Sequence, residues 1–400
     1  MNRLNLLITI TYILLLSSPL YSQTNVNVDD GKFRLNTITT SVPFLIISPD
    51  AKAGGMGDVG AATSPDAMSM HWNPAKYAFV DDDMGFSICY TPWLSALVSD
   101  INLSYLTAYK RLNKNEVLGF SLRYFSLGLI TFTDKNNVEL GQFNPNEFSL
   151  DGSYALKLSP NFSTGVALRY VYSNLTGGQQ VGTLSTKAAQ TVAGDISGYY
   201  TTNVRIADRD VSWSTGINIS NIGAKVSYTE TSDKDFIPTN LKLGSSLSTD
   251  IDEFNQVSFA FDINKLLVPT PPIYDDAGDV LSGEDPEVSV INGIFQSFND
   301  APSGDREIRE LIYSVGAEYW YDQQFALRTG YFYEHPSKGD RQFLTLGAGV
   351  RYNVFGLDFS YLIPVQSREE ANVTNPLSNT LRFALTFDFG ALQDEDESEN

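Results

Sequence analysis

Apolar and polar residues alternate with a period of two along most of the chain beyond residue 84. In the segment LRFALTFDF, for example, Leu381, Phe383 and Leu385 fall on one face, whereas Arg382 and Asp388 fall on the other. Because successive side chains of a strand point to opposite faces, this period predicts β-strands. Segments of strand length, about fourteen in all, lie at 84–91, 101–111, 116–125, 147–158, 163–173, 211–219, 225–230, 240–249, 255–264, 311–321, 324–333, 342–352, 354–363 and 380–389.

Charged residues within these segments lie on the face opposite an apolar row. They are Arg123, Arg169, Asp262, Glu318, Arg328, Arg351 and Asp358. A soluble sandwich of two sheets shows the same alternation, with its charged faces in water. The alternation alone therefore does not separate a soluble sheet from a membrane barrel.

The lengths of the connections favour the barrel. Short connections lie near 111–115, 159–162, 220–224, 250–254, 322–323 and 353, and long ones near 126–146, 174–210, 265–310 and 364–379. Tight turns at one rim and long loops at the other are the organisation of an outer-membrane barrel. We therefore predict an all-β fold over residues 84–390, a transmembrane antiparallel β-barrel of about 14 strands. Both termini are expected in the periplasm, with the long loops extracellular.

The two ends of the chain differ from this pattern. Residues 1–22 place Arg3 before an apolar run, as an export signal does, so we predict a cleaved signal peptide. Residues 23–83 lack the strand alternation, and we expect them to form an N-terminal hatch or plug inside the barrel. The acidic residues 391–400 are expected to be a disordered tail.

The amino-acid composition excludes several classes of protein. The 400 residues carry a formal net charge of −20, 12% aromatic residues, 30 glycines and one cysteine, Cys89. An intramolecular disulfide is impossible with one cysteine, and the profile is neither collagen-like nor disordered. After the signal, the sequence contains no run of 18 or more apolar residues, so it predicts no membrane-spanning helix.

The stretch GGMGDVG, from Gly54 to Gly60, contains the G-x-G-x-x-G pattern of dinucleotide-binding proteins. That fingerprint must follow a strand directly and open a helix within a βαβ unit. Here Ser48–Ala53 separates the glycines from the preceding apolar run, and Pro65 soon interrupts any helix. We therefore expect the glycines to serve a crowded turn instead of a cofactor.

Other chemistry has little support. His71 and His335 are the only histidines, and no residues at metal-ligand spacing surround them. The acidic stretch 275–287 does not match an EF-hand. His335 with Ser337 is the one local hint of a hydrolase, with Pro336 between them. We expect no catalytic, cofactor-binding or metal residues, no enzymatic activity and no nucleic-acid partner.

The stretch Ser48-Pro-Asp-Ala-Lys-Ala-Gly-Gly-Met-Gly-Asp-Val-Gly-Ala-Ala, followed by Asp66 and by Trp72-Asn73-Pro74-Ala75-Lys76, closely resembles the N-terminal signature of the PorV family. These are outer-membrane components of the type IX secretion system of Bacteroidetes. The resemblance extends to segments 143–158, 164–175, 236–244, 326–349 and 375–387. The acidic tail is a departure from the pattern.

The resemblance implies a FadL-like barrel of fourteen strands and a non-enzymatic cargo shuttle. Such proteins receive secreted substrates from the SprA translocon barrel by binding their C-terminal domains. They then present them to the attachment complex that contains PorU, PorZ and PorQ. Outer-membrane lipid is the remaining expected partner.

Two sets of residues follow as candidates. The hatch motif comprises Pro49, Asp50, Gly54, Gly55, Gly57, Asp58, Gly60, Trp72, Asn73 and Pro74. Apolar residues expected in loops, and therefore available to cargo, are Tyr199, Tyr200, Ile294, Phe295 and Phe298.

Two other functions stay open. A FadL-like transporter of hydrophobic small molecules would have a narrow apolar pocket leading to a gap in the barrel wall, whereas a broad groove between the long loops would favour protein cargo. A lipid-modifying enzyme would need His335 beside a serine and a carboxylate.

Overall fold

The computed structural model of the chain describes residues 36–133, 136, 139–181, 184–230, 234–274, 280–301, 307–365 and 375–390. These residues form a closed antiparallel barrel of fourteen strands, which confirms the predicted fold class. Each strand pairs with its neighbours in sequence order, and the first pairs with the last through Phe86 opposite Phe387. The strands are β1 (Met84–Pro92), β2 (Asn102–Asn113), β3 (Glu116–Ser126), β4 (Asn146–Lys157), β5 (Phe162–Asn174), β6 (Ala189–Ile206), β7 (Arg209–Gly223), β8 (Asn240–Asp250), β9 (Asn255–Leu266), β10 (Ile312–Tyr321), β11 (Phe325–Tyr333), β12 (Gln342–Tyr352), β13 (Phe355–Pro364) and β14 (Leu381–Asp388).

The two faces of the barrel wall have opposite chemistry. On β3, for example, Leu118 and Phe120 are exposed on the outer surface, whereas Ser121 and Arg123 are buried inside. The other charged residues predicted on the polar face also point inward. A closed barrel forms all its backbone hydrogen bonds between strands. Its apolar outer face can therefore contact lipid without exposing unpaired backbone N–H and C=O groups.

Short turns and long loops separate into two rims. The short-turn rim carries the connections 114–115, 158–161, 207–208, 251–254, 322–324 and 353–354. Ala207 and Asp208 both have positive φ, which is the backbone that a two-residue hairpin turn requires. Asp322 and Gln323, in a three-residue turn, also have positive φ. The long-loop rim carries 93–101, 127–145, 175–188, 224–239, 267–311, 334–341 and 365–380.

One strand was missed and one was predicted in error. Residues 189–206, predicted within a long loop, form β6, which is the longest strand in the described part of the chain. Residues 225–230, predicted as a strand, contribute only isolated bridges, Thr186 to Thr229 and Val226 to Asp235. The short turn expected at 220–224 is correspondingly at 207–208. The two errors cancel in the strand count.

The placement of Tyr199 and Tyr200 in a loop is therefore wrong. Both lie in β6, where Tyr199 points inward and donates its hydroxyl hydrogen to Ser214 Oγ at 3.0 Å. Tyr200 points outward and contacts Trp213 edge-on, with ring centroids 6.2 Å apart. Both side chains belong to the barrel wall.

Residues 41–80, which we call the inner segment, pack against the inward face of the barrel. The segment forms short helices at Ala51–Gly54 and Ser69–Trp72 and 3-10 helices at Pro43–Ile46 and Pro74–Phe79. The largest buried apolar cluster joins Phe44 and Leu45 to strand residues such as Leu103, Phe125 and Val171. The hydrophobic core thus lies between the inner segment and the wall.

Several predictions fall outside the described residues. These are the signal peptide 1–22, the first part of the 23–83 segment as far as residue 35, and the acidic tail 391–400. Part of the acidic stretch, 275–279, is also outside them. Among the described residues, none of the helices has the length and apolar character to span a membrane.

Candidate functional site

The glycine stretch brings the backbone of the inner segment close to the wall. Gly57 has φ 73°, and a Cβ there would lie 2.7 Å from the backbone nitrogen of Tyr331. Its own N–H donates to Thr345 Oγ1 at 2.8 Å. Gly60 faces the ring of Trp72, so that a Cβ would overlap the indole. A side chain at Gly57 would force the segment away from the wall, and one at Gly60 would force two parts of the segment apart.

The remaining glycines of the motif are also crowded. A Cβ on Gly55 would lie 2.9 Å from the Cα of Gly347 in β12, and one on Gly54 would meet the Arg382 guanidinium. Asp262 of β9 accepts the N–H groups of Gly60 and Ala61 through one oxygen, at 2.8 and 3.0 Å. The motif therefore combines tight packing with specific hydrogen bonds.

Asp50 and Trp72 connect two helices of the inner segment. One Asp50 oxygen caps helix Ala51–Gly54 by accepting the N–H of Lys52 at 2.8 Å, and the other accepts Trp72 Nε1 at 2.8 Å. Pro49, just before this cap, is buried. Removing the carboxylate would leave both donors without these hydrogen bonds.

Asn73 and Pro74 start the last helix of the segment. Pro74 occupies the first helical position, and Asn73 Oδ1 accepts the N–H of Ala75 at 3.1 Å. Asn73 Nδ2 donates to the carbonyls of Ala61 and Gly198, each at 3.0 Å. One side chain thus caps a helix and ties it to β6.

Charged residues inside the barrel fall into two groups. Arg123 donates to the carbonyl oxygens of Phe44 and Leu45 at 2.9 and 2.5 Å, and Arg382 pairs with Asp58 at 2.7 Å, so these contact the inner segment. Three further arginines pair across the wall. Their contacts are Arg169 with Asp151 and Asp195, Arg328 with Glu318 and Asp358, and Arg351 with Asp358.

A polar cavity of about 690 Å³ lies on the short-turn side of the inner segment. Its lining includes Lys52 and Asp66 of the segment, which form an ion pair at 2.8 Å, and strand residues such as Ser212 and Gln256. Polar lining of this size suits ordered water better than an apolar ligand.

The long-loop rim presents a helix with exposed apolar side chains. Helix Val290–Gln296 begins after Ser289, whose Oγ accepts the N–H of Asn292 at 3.3 Å. Phe295 is 73% and Phe298 48% exposed, while Ile294 is half-buried. Ile291, 64% exposed, was not among the predicted residues, although its spacing of four from Phe295 could have identified it. We call Ile291, Phe295 and Phe298 the loop-helix surface.

Ion pairs fix the loop that carries this helix. Glu310 accepts from Lys265 and Lys338 at 2.7 Å each, and Asp300 accepts the N–H of Thr270 at 2.9 Å. Oxygens of Asp300, Glu307 and Glu310 lie within 4.8 Å of one another. The two lysines supply positive charge there, so the arrangement stands without a metal ion.

His335 and Ser337 do come together. Their Nδ1 and Oγ atoms lie 2.9 Å apart, and the Ser337 N–H also points to Nδ1 at 3.1 Å. These contacts occur within three residues of one loop, where they stabilise a turn.

A family model described as "Type IX secretion system protein PorV" matches residues 30–273, more than half of the chain. The chain belongs to the PorV family. This confirms the predicted resemblance and places the protein in type IX secretion. The closed barrel with its apolar exterior agrees with an outer-membrane location. No curated protein matches the chain significantly.

Solved structures similar to this PorV family member include two proteins titled toluene transporters and one titled a FadL homologue. They include the Ralstonia pickettii toluene transporter TbuX, with 13% identity, TM-score 0.46 and coverage of 89% of this chain and 100% of that one. The Pseudomonas putida toluene transporter TodX has 11% identity, TM-score 0.46 and coverages of 88% and 98%. A Pseudomonas aeruginosa FadL homologue has 11% identity, TM-score 0.43 and coverages of 86% and 99%.

Proposed function

We propose that this PorV family member binds the C-terminal domains of secreted cargo as they leave a SprA-type translocon barrel. It then passes the cargo to a surface attachment complex of the PorU, PorZ and PorQ type. Family membership supports the secretion context. The observation that carries the binding step is the loop-helix surface, because clustered apolar side chains exposed to solvent are typical of protein-interaction sites.

The long-loop rim is the extracellular side in this proposal, and both termini are periplasmic. Short turns face the periplasm in outer-membrane barrels, which supports this orientation. The inner segment acts as a plug that seals the barrel while the loops hold cargo. Its dense contacts with the wall support that role. The protein works by binding and release, without catalysis.

The direct test replaces Ile291, Phe295 and Phe298 together by serine. Tagged protein is purified from gently solubilised outer membranes, and the co-purifying proteins are identified. We expect proteins that share one C-terminal domain to co-purify with the unaltered protein and to fall at least about tenfold with the variant, since apolar anchors of an interface contribute about 1–2 kcal/mol or more each.

The matched control replaces Ile206, Ile251 and Phe254 by serine. These apolar residues are also exposed, at 46–49%, but lie at the short-turn rim. The control should leave cargo capture unchanged. Equal capture by both variants, or full capture after deletion of 270–305, would show that the loop carrying helix Val290–Gln296 is not needed for cargo binding.

A transporter of hydrophobic small molecules is the alternative. A pocket at the long-loop rim, whose lining includes Ile312, Phe332 and Phe343, is the observation in its favour. All neighbouring strands of the described barrel are hydrogen-bonded, so the wall shows no lateral gap there. Fatty acids as the sole co-purifying partners would favour this alternative over cargo binding.

A further inference from the structure

An apolar hollow lies on the outer surface of the barrel wall, across strands β1 to β5. Its volume is about 570 Å³. The residues that shape it, which define what we call the outer hollow, are Phe86, Ala108, Phe120, Gly152 and Leu168. Pockets that hold small ligands have volumes of about 300–1,000 Å³. The outer hollow therefore has the size of a ligand site.

The hollow arises because large and small outward side chains alternate from strand to strand at one level of the wall. The strand register places these residues side by side in the order Phe86, Ala108, Phe120, Gly152 and Leu168. Neighbouring strands are about 4.8 Å apart, so the row extends over about 19 Å. The two phenyl rings and the leucine side chain project from the wall, with low ground between them at Ala108 and Gly152.

The described part of the chain leaves the outer hollow open. A Cβ built on Gly152 would have no other atom within 4 Å. The side chains on either side of this glycine are exposed, Phe120 by 46% and Leu168 by 70%. A concave apolar surface of this kind gains free energy when an apolar molecule fills it. The occupant must therefore come from outside the described chain.

A lysine marks the short-turn end of the outer hollow. Lys110 follows Ala108 by two residues on the outward row of β2 and also lines the hollow. Two carboxylates of the same rim have other partners: Asp83 pairs with Arg111 at 3.4 Å, and Glu116 accepts the Tyr154 hydroxyl at 2.6 Å. A long lysine side chain on a lipid-facing surface extends its ammonium to the membrane interface, where phosphate groups of lipids lie.

We propose that the outer hollow binds one glycerophospholipid, with its acyl chains against Ala108 and Gly152 and its phosphate beside the Lys110 ammonium. The outer surface of a membrane barrel is surrounded by acyl chains, so such a lipid reaches the hollow directly. It supplies both an apolar chain for the low ground and an anion for the lysine. The proposal does not depend on cargo binding.

The test counts the lipids that stay on the purified full chain. The protein is stripped of lipid in a mild detergent and titrated with dioleoylphosphatidylethanolamine, and the bound molecules are counted by native mass spectrometry. Dioleoylglycerol, which has the same acyl chains and no phosphate, is the matched probe. We expect one phospholipid to bind saturably and the diacylglycerol to bind at least about tenfold more weakly, because it lacks the charge-assisted contact with Lys110.

Variants separate the apolar contact from the charge. Ala108→Phe fills the low ground and should lower the phospholipid affinity at least about tenfold. Ala348→Phe is its matched control, since Ala348 also faces outward beside a phenylalanine, Phe359, and is outside the hollow. Lys110→Met should lower the phospholipid affinity to that for the diacylglycerol, and Lys110→Arg should retain most of it. Lys114→Met, in the exposed turn after β2, is the control for loss of a lysine.

Three results would overturn the proposal: no saturable binding of the phospholipid, equal affinity for phospholipid and diacylglycerol, or equal affinity of Ala108→Phe and Ala348→Phe for the phospholipid. The last would show that lipid covers the wall without a distinct site. If Ala108→Phe released a co-purifying membrane protein instead of a lipid, the outer hollow would be a contact between barrels, which also contradicts the proposal. Urea titration in lipid vesicles establishes first that each variant folds like the unaltered protein.

Discussion

Single residues of the inner segment carry its contact with the wall. Gly57 combines a positive φ with an approach to the Tyr331 backbone that leaves no room for a side chain. The sequence predicted a crowded turn at this glycine stretch. It could not identify the opposing strand, because Gly57 and Tyr331 are far apart in the chain and meet only when the barrel closes.

A Gly57→Val substitution should therefore destabilise the protein. A β-branched residue at positive φ costs about 1–2 kcal/mol, and overpacking against backbone adds about 1–3 kcal/mol. We expect a loss of about 3 kcal/mol in the free energy of unfolding, measured by urea titration in lipid vesicles, together with reduced cargo secretion.

Gly152→Val is the control for this substitution. Gly152 lies on the outer face of β4, and a Cβ there would meet no atom within 4 Å. The free energy of unfolding of the Gly152→Val protein should change little. A Gly57→Val protein that folds and secretes cargo as well as the unaltered protein would contradict the plug role of the inner segment.

At the scale of elements, the sequence predicted thirteen of the strands near their observed positions and missed β6. The outer face of β6 is interrupted by Gly194 and Gly198, which weakens the alternation. In 225–230, Val226 and Tyr228 alternate because both cover the cluster around Phe44 from a loop. A period of two shows only that every second residue is buried. A loop that covers the inner segment produces the same pattern as a strand.

The outer hollow could not have been predicted. Ala108 and Gly152 were visible as small residues in the outward rows of β2 and β4. Their places beside Phe86, Phe120 and Leu168 depend on the strand register, which exists only in the folded barrel. Sequence patterns show which face a residue occupies, but not its neighbours on the adjacent strands.

The loop 267–310 should respond to pH through Asp300. Burial, reinforced by the charges of Glu310 and Glu307, raises the pKa of Asp300 to about 6. In the unfolded loop the carboxyl has a pKa of about 4. Between these values the folded loop binds the extra proton, so its stability is greatest at low pH and is lost as pH rises through 6.

Hydrogen exchange of the Thr270 amide, which Asp300 accepts, measures this effect. We expect a larger protection factor at pH 5 than at pH 7.5, and no such difference in Asp300→Asn. Although burial opposes it, hydrogen bonds from Lys265 and Lys338 lower the pKa of Glu310, so that carboxylate stays ionised across this range. Equal protection at both pH values would contradict the assignment.

For the whole molecule, the other conclusions depend on one property: apolar side chains cover the outside of the barrel and charged side chains lie inside it. Outward rows such as Leu346 and Leu385 are exposed and apolar, while Arg328 and Asp358 are buried and paired. In water this arrangement would expose a continuous apolar belt and bury charge, both at a cost in free energy. In a bilayer the belt contacts acyl chains, and the charges are shielded by the wall.

The depth dependence of an introduced charge tests this arrangement. Leu346 and Tyr352 lie on the outer face of the same strand, β12, with Leu346 near its middle and Tyr352 at its short-turn end. An arginine at the bilayer centre costs about 2–4 kcal/mol, and one near the interface about 0–1 kcal/mol. Leu346→Arg should therefore lower the unfolding free energy in vesicles by about 3 kcal/mol more than Tyr352→Arg does.

The same pair of variants in a detergent micelle, where the charge reaches water easily, should differ less in unfolding free energy. If both substitutions cost the same in vesicles, the outer rows of β12 do not contact the hydrocarbon core. The roles proposed for the inner segment and the loop-helix surface would then have to be explained outside a membrane.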